Sequence, residues 1–224
     1  MTPRALIFDV DGTLAETEEL HREAFTAAFA NAGLDWSWDR DLYRDLLRTT
    51  GGRERILVYA GRIGADVDAG ALHKDKTRIY GERVDAGMLT LRPGVAALIE
   101  AGRRKGMALA IATTTSRPNV AALIQATLGR EAIGWFASIR TGEDVKAKKP
   151  DPEVYRLVLS DLGLPARDCI AFEDTQNGLV AALEAGLRTI VTPSLYSDGD
   201  DFTGAALVVD SMEALRNRPE FRIG

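Results

Sequence analysis

Five short segments of the chain are apolar at almost every position instead of alternating with polar residues. They are ALIF (5–8), MALAIA (107–112), CIAF (169–172), TIV (189–191) and ALVV (206–209). Strands with two apolar faces are typical of a parallel sheet that is covered on both sides. The pattern therefore predicts an α/β protein built around a mostly parallel sheet.

Helical patterns fill the chain between most of these segments. PGVAALIEAGRRKG begins with Pro93 at a helix start and has Gly106 after its end. DPEVYRLVLSDLG has Asp151 as its N-cap, Pro152 in the first turn and Gly163 at its end. These residues are typical start and stop signals of helices. Strands that alternate with helices predict a Rossmann-like core with helices on both faces of the sheet.

One long region interrupts this alternation directly after the first strand. Residues 16–88 show helical patterning and no clear strand, so we expect an all-helical cap domain there. Its predicted helices cover about 18–32, 39–49, 53–62 and 69–85. The core domain then consists of residues 1–15 and 89–224.

Composition and charge exclude several classes of function. The 224 residues are 46% hydrophobic and 27% charged, and the net charge of −5 argues against nucleic acid as a partner. No apolar run is long enough to span a bilayer and no secretory signal is evident, so we expect a cytoplasmic protein without a membrane partner. The single cysteine, Cys169, lies inside an apolar run and is expected to be a buried structural thiol. A dinucleotide-binding glycine loop and a P-loop are both missing.

Polar residues follow three of the predicted strands at the point where each strand ends. Asp9 and Asp11 follow the first strand, residues 113–116 (TTTS) follow the second, and Glu173 and Asp174 follow CIAF. Ligands of open α/β sheets bind at the carboxyl ends of the strands. We therefore expect these side chains to share one edge of the sheet.

Each group also has an ordinary structural explanation. The hydroxyls of 113–116 could cap the next helix, and Glu173 and Asp174 could be the acids of a helix N-terminus. The segment FASIRTGEDVKAKKPD (136–151) runs through a loop whose Lys148 and Lys149 could be solvated. Four carboxylates at one edge would repel each other, however, and a cation would relieve that repulsion. Oxygen ligands favour Mg²⁺.

Such an edge suits phosphoryl transfer. A magnesium ion and a lysine can neutralise a phosphate, and backbone N–H groups at a helix N-terminus can hold its other oxygens. One carboxylate can act as nucleophile, while a second protonates the leaving oxygen and later activates water.

Four motifs in this order resemble those of the haloacid dehalogenase superfamily. They are FDVDGTL, the hydroxyl after AIA, the lysine of KKPDP, and FEDTQNG. Longer stretches, among them DVDGTLAETEELHR, LLRTTGGRERI and KKPDPEVYRL, resemble the CbbY-type phosphatases associated with the Calvin cycle. The likeness covers most of the chain and is weakest at about 57–71 and in the last twenty residues or so.

The resemblance implies roles for the residues of the core. Asp9 corresponds to the nucleophile and Asp11 to the general acid/base. The magnesium ligands are implied to be Asp9, the backbone carbonyl of Asp11, and Asp174, with Glu173 at or just behind them. Contacts to the transferring phosphate or the rest of the substrate are implied for Thr113, Thr114, Ser116, Asn119 and Lys149.

The resemblance also implies substrate contacts for a second set of residues, all of them in the predicted cap. These are Glu16, His21, Thr50, Gly51, Gly52, Arg53, His73 and Lys76. His21 could equally be a surface or packing residue, and Lys76 could be a solvated charge. We assign the aromatic residues Trp36, Trp38 and Tyr43 to packing of the cap.

We therefore predict a monomeric, Mg²⁺-dependent phosphatase that hydrolyses a small sugar bisphosphate, xylulose 1,5-bisphosphate in the first instance, through an aspartyl-phosphate. A mutase of the β-phosphoglucomutase type uses the same acid pair and remains an alternative. A phospho-accepting receiver domain is a third possibility, although receivers are about half this length. We also expect a hinge at the two crossings between cap and core, near 14–16 and 86–91.

Overall fold

The computed structural model describes residues 3–197 and 199–217. The described chain divides into two compact units. Residues Thr17–Met88 form one of them, the helical unit, and the described residues before Thr17 and from Leu89 onward form the other, the core unit.

The core unit is built on a parallel sheet that has six strands within the described ranges. Their order across the sheet is β3-β2-β1-β4-β5-β6, and every neighbouring pair is parallel, as the apolar runs predicted. The strands are β1 Ala5–Phe8, β2 Ala108–Ala112, β3 Phe136–Arg140, β4 Cys169–Glu173, β5 Arg188–Val191 and β6 Leu207–Val208.

Eight α-helices accompany the strands within the same described residues. The first four form the helical unit and the others belong to the core unit. They are α1 Glu18–Asn31, α2 Arg40–Leu47, α3 Gly52–Ile63, α4 Ala69–Asp85, α5 Val95–Arg104, α6 Arg117–Leu128, α7 Glu153–Leu162 and α8 Gln176–Glu184.

The starts of two core helices differ slightly from the prediction. Helix α5 begins at Val95 and not at Pro93, since Gly94 has a φ of 88°, which is outside the helical region. Helix α7 begins at Glu153, and its backbone N–H donates to the Asp151 side chain at 2.9 Å. Asp151 therefore caps this helix from one position further out than predicted.

Strand β3 begins the segment 136–151, for which sequence analysis predicted a loop carrying lysines but named no strand, so Phe136–Arg140 was missed as a strand. The strand is at the edge of the sheet and pairs only with β2 among the described strands. Phe136 and Ser138 are buried while Ala137 between them is exposed. An edge strand that is covered on one face alternates in polarity, so it gives no continuous apolar run.

The two faces of β1 pack against different helices. Ala5 and Ile7 belong to a buried cluster that also contains Tyr155 of α7 and Ala181 of α8. The Leu6 side chain points to the other face, where it packs against α5. Its Cδ1 lies 3.0 Å from the point where a Cβ on Gly102 of α5 would be. Helices therefore cover both faces of the sheet, as predicted.

The helical unit has an aromatic core. The Phe25 and Phe29 rings lie 4.8 and 4.9 Å from the Trp38 ring, and Trp36 contacts Phe29 at 5.2 Å. Trp38 and Tyr43 are fully buried, which confirms their assignment to packing. Among the described residues, no helix has both the length and the apolar character needed to cross a membrane.

Candidate active site

The register of the three central strands brings their carboxyl ends level. Phe8 at the end of β1 pairs with Ile111 of β2 and with Phe172 of β4. The next residue, Asp9, donates its backbone N–H to the Phe172 carbonyl at 3.0 Å. Asp9 therefore lies beside Glu173, as the sequence predicted for strand ends at one edge of the sheet.

Lys149 links the side chains at this edge. Its Nζ lies 2.7 Å from Asp9 Oδ1, 2.6 Å from Glu173 Oε1 and 2.9 Å from the Ala112 carbonyl oxygen. The lysine is only 5% exposed, so the alternative of a solvated surface charge is wrong for Lys149. Three donated hydrogen bonds use all three protons of the ammonium group.

Burial and neighbouring charges set the protonation of these groups. Burial is the largest influence on Asp9 and raises the pKa of its carboxyl group to about 7, against the lowering effect of Lys149. Burial disfavours the charge of Lys149, but Asp9 and Glu173 outweigh it and raise the lysine pKa. Burial and the charge of Glu173 also raise the pKa of Tyr155 well above its usual range. Lys149 is therefore a cation and Tyr155 a hydrogen-bond donor at neutral pH.

Three buried carboxylates converge at the site. Asp9, Glu173 and Asp174 each offer an oxygen, and these oxygens lie within 4.8 Å of one another. Lys149 supplies one positive charge for them, so a cation would relieve the repulsion that remains. An all-oxygen set of carboxylates suits a hard divalent ion. The Asp11 carboxylate is not part of this group, and its side chain is partly exposed.

Two glycines make room for the carboxylates. A Cβ on Gly12 would lie 2.0 Å from Asp174 Oδ2, and Gly12 also has a φ of 81°. A Cβ on Gly178 would lie 1.9 Å from Glu173 Oε2. Both positions therefore need glycine for steric reasons, which the sequence analysis did not foresee.

Hydroxyl and amide groups surround the carboxyl end of β2. Thr113 is 1% exposed, and its Oγ1 accepts a hydrogen bond from the Thr115 backbone N–H at 3.2 Å. Asn119 donates to Thr115 Oγ1 at 3.1 Å. Within the described residues, Ser116 Oγ and Asn119 Oδ1 are buried and have no hydrogen-bond partner. The alternative explanation, that the hydroxyls of 113–116 cap helix α6, is not supported at its N-cap, because the Ser116 side chain makes no capping hydrogen bond.

His21 and Lys76 lie together inside the helical unit. His21 Nδ1 is 2.8 Å from Lys76 Nζ, and both residues are less than 5% exposed. The Lys76 ammonium also lies 4.9 Å from the centre of the Phe25 ring. The alternatives of a surface position for His21 and of a solvated charge for Lys76 are therefore wrong.

The Gly-Gly turn lies against the same part of the helical unit. Gly51 precedes α3 with a φ of 99°, and a Cβ on Gly52 would lie 2.8 Å from the His73 ring and 3.1 Å from Phe25. Thr50 is partly buried, whereas Arg53 is exposed. Gly52 therefore lies next to His73 and Phe25, and Lys76 lies over the ring of the same Phe25.

Glu16 lies in the core unit and forms an ion pair with Arg92, with Nε 3.2 Å from Oε1. Arg92 also donates to the backbone carbonyl oxygens of Gly12, Thr192 and Pro193. Sequence analysis gave Arg92 no role, although it directly follows the predicted return crossing near 86–91.

Tyr155 is a second residue that sequence analysis missed. Its hydroxyl donates to Glu173 Oε1, and the ring centre lies 5.0 Å from Lys149 Nζ. In the sequence it is one apolar position of a helix, and only its place six residues after Lys149 connects it with the site.

Comparison with known proteins agrees with this geometry. A family model for haloacid dehalogenase-like hydrolases matches residues 3–186, and the chain therefore belongs to that family. It is an enzyme and, within the family, a phosphatase. Enzymes of this family generally use a divalent metal, which fits the buried carboxylates.

The chain is similar to CbbY proteins along nearly its whole length. It is 50% identical to Protein CbbY of Rhodobacter capsulatus over 217 residues, which cover 96% of each chain. A crystal structure of CbbY from Rhodobacter sphaeroides with phosphate superposes with a TM-score of 0.93 at 47% identity, and covers 96% of each chain. A mutant of that CbbY, crystallised with xylulose-(1,5)bisphosphate, also gives 0.93, at 46% identity and the same coverage.

Proposed function

We propose that this protein is a Mg²⁺-dependent phosphatase that hydrolyses xylulose 1,5-bisphosphate through an aspartyl-phosphate intermediate. The observation that carries the proposal is the buried ion pair of Lys149 with Asp9 and Glu173, next to Asp174. This ion pair lies at the carboxyl ends of β1 and β4, and α/β sheets bind their ligands at that edge.

Asp9 is the proposed nucleophile. Its carboxylate oxygen attacks phosphorus, the bond between phosphorus and the sugar oxygen breaks, and Asp11 donates a proton to that oxygen. Asp11 then removes a proton from a water molecule, which attacks the aspartyl-phosphate and regenerates Asp9. The partly exposed Asp11 side chain suits this exchange of protons with the substrate and water.

The carboxylates of Asp9 and Asp174 and the backbone carbonyl of Asp11 would hold Mg²⁺, with Glu173 at or just behind them. When bound, the ion neutralises charge on the phosphate and favours the ionised form of Asp9. Lys149 holds the Asp9 carboxylate in place through its 2.7 Å contact. Thr113 and Thr114 hold the transferring phosphate, and the unpaired polar atoms of Ser116 and Asn119 support substrate contacts at this end of β2.

The helical unit is proposed to bind the rest of the substrate. The buried Lys76 cation and the N-terminus of α3 both favour an anion, such as the second phosphate of a bisphosphate. His21, His73, Thr50, Gly51, Gly52 and Arg53 would complete this subsite. Glu16 of the core unit is a separate proposed substrate contact. The hinge near 14–16 and 86–91 stays a prediction.

The choice of sugar rests on the likeness to CbbY, one of whose mutants was crystallised with xylulose-(1,5)bisphosphate. CbbY-type phosphatases are associated with the Calvin cycle, which places the proposed reaction in carbohydrate metabolism. The proposed enzyme is a cytoplasmic monomer, and its partner is a small phosphorylated sugar.

Replacement of the nucleophile tests the reaction. We expect Asp9→Asn to lower phosphate release from xylulose 1,5-bisphosphate by at least about 1,000-fold, since the amide cannot form the covalent intermediate. Phosphate release is measured with Mg²⁺, and circular dichroism checks that the fold is retained. Asp75→Asn, which removes a partly exposed carboxylate of the helical unit, is the matched control and should retain turnover. Full activity of Asp9→Asn would contradict the proposal.

The products separate a phosphatase from a mutase. The chain also resembles a putative β-phosphoglucomutase of Thermotoga maritima, with a TM-score of 0.67 and 28% identity. With a hexose 1-phosphate, a mutase makes the 6-phosphate and little free phosphate. We expect free phosphate from a panel of sugar phosphates, with xylulose 1,5-bisphosphate as the best substrate.

A further inference from the structure

Tyr155 carries a hydroxyl into an otherwise apolar part of the core. It is the third residue of α7 and is fully buried, and the other buried members of its core cluster are aliphatic side chains and Cys169. A phenylalanine would fill the same volume without burying a polar group. The hydroxyl donates to Glu173 Oε1, so its contact is with a carboxylate of the candidate active site.

The Glu173 carboxylate is held through Oε1, which accepts from the Tyr155 hydroxyl and from Lys149 Nζ. Oε2 lies 1.9 Å from the point where a Cβ on Gly178 would be, so it packs closely against that glycine. Glu173 itself is 1% exposed, so water does not replace either contact. The carboxylate therefore has little freedom to rotate while the Tyr155 hydroxyl is present.

The position of Glu173 in turn decides the position of Lys149. The ammonium group has three acceptors, Asp9 Oδ1, Glu173 Oε1 and the Ala112 carbonyl, at 2.6–2.9 Å. The carbonyl belongs to the sheet and is fixed. A change in the orientation of the Glu173 carboxylate therefore moves the lysine relative to the proposed nucleophile.

We propose that Tyr155 is a positioning residue: its hydroxyl fixes the Glu173 carboxylate so that Lys149 stays against Asp9. The inference rests on the proposed role of Asp9 as nucleophile. Without the hydroxyl, Glu173 would be free to turn toward a cation held by Asp9 and Asp174. The site would then bind metal more tightly and align the nucleophile less well.

The test is Tyr155→Phe, which removes one oxygen atom and keeps the ring. With xylulose 1,5-bisphosphate we expect kcat to fall at least tenfold while KM changes less than twofold. In a thermal titration with Mg²⁺ alone, we expect the half-saturating concentration to fall at least threefold. A merely structural defect would loosen the site and raise that concentration, so this readout separates the two roles.

The matched control is Tyr43→Phe. Tyr43 is also fully buried and donates its hydroxyl to a carboxylate, Glu18 Oε2, at 2.6 Å, but it lies in the aromatic core of the helical unit. We expect it to leave kcat and the Mg²⁺ titration within twofold of wild type. A second variant, Gly178→Ala, displaces Glu173 from the other side and should also lower kcat at least tenfold.

The proposal is overturned if Tyr155→Phe keeps kcat within twofold of wild type, if Tyr43→Phe loses as much activity, or if Tyr155→Phe needs as much Mg²⁺ as wild type or more. A wild-type protein that releases no phosphate would refute the proposed function instead. In that case the Mg²⁺ titration alone still decides whether Tyr155 restrains Glu173.

Discussion

At the scale of single residues, the candidate site depends on two glycines, which have no side chain, as much as on the charged groups. Gly12 and Gly178 each face a carboxylate so closely that no other residue fits there without displacing it. The sequence showed Asp9, Asp174 and Lys149 by their order along the chain. It could not show these steric limits, because they arise between residues that are far apart in the sequence.

Gly12→Ala tests the steric limit at the proposed metal ligands. The new Cβ would lie 2.0 Å from Asp174 Oδ2, so we expect Mg²⁺ binding to weaken at least tenfold and phosphate release to fall with it. The left-handed backbone adds a stability cost of roughly 1–2 kcal/mol. Gly87→Ala separates the two effects, since Gly87 has nearly the same φ, 79°, but nothing within 4 Å of a Cβ.

Both variants are compared by thermal unfolding with and without Mg²⁺ and by phosphate release. Gly87→Ala should lose a similar amount of stability and keep its response to Mg²⁺. An equal response to Mg²⁺ in the two variants would show that the contact with Asp174 does not matter.

At the scale of elements, the predictability of each part follows from where its contacts come from. The central strands and the helices of the unit Thr17–Met88 show in the sequence because a periodic apolar pattern defines them. Strand β3 cannot be recognised from an apolar run in the sequence, because it lies at an edge of the sheet and its residues alternate between buried and exposed. Tyr155 also escaped notice, since a tyrosine in an apolar helix pattern looks like ordinary packing.

An ion pair attaches the edge strand β3 to helix α7. Asp161 of α7 accepts from Arg140 at 2.6 and 2.7 Å and from Ser138 at 2.6 Å. The hydrogen bonds from Arg140 and Ser138 lower the pKa of Asp161 to about 2. We expect this network to hold the edge of the sheet in place.

Asp161→Asn should lower the free energy of unfolding by about 1–2 kcal/mol at pH 7, measured by urea denaturation. The folded-state pKa lies below the ordinary value of 3.8, so the contribution is complete above pH 4 and is lost as the pH falls from 4 toward 2. The difference between variant and wild type should therefore shrink at pH 3. Asp45→Asn removes a more exposed pair with Arg62 and should cost less stability than Asp161→Asn. A difference that stays constant from pH 7 to pH 3 would contradict the assignment.

At the scale of the whole molecule, the helical unit is an insertion into the chain of the core unit. The chain leaves the core after Glu16 and returns at Leu89. The two crossings meet within the core unit, where Ala15 pairs with Leu91 and the Arg92 N–H donates to the Leu14 carbonyl at 2.8 Å. Asp9, Lys149, Glu173 and Asp174 all belong to the core unit, so the proposed metal site needs no residue from the insertion.

Mg²⁺ should therefore stabilise the core unit by mass action. At a concentration one hundred times its dissociation constant, we expect a gain of about 2.7 kcal/mol, which corresponds to a rise in Tm of roughly 5–10 °C for a chain of this size. Differential scanning calorimetry with Mg²⁺ and with a chelator measures the shift. Asp174→Asn removes one ligand and should reduce the shift by more than half. Asp41→Asn, an exposed acid of the helical unit, should leave it unchanged. A shift that is absent in wild type, or that survives intact in Asp174→Asn, would mean that the three buried carboxylates do not form the metal site.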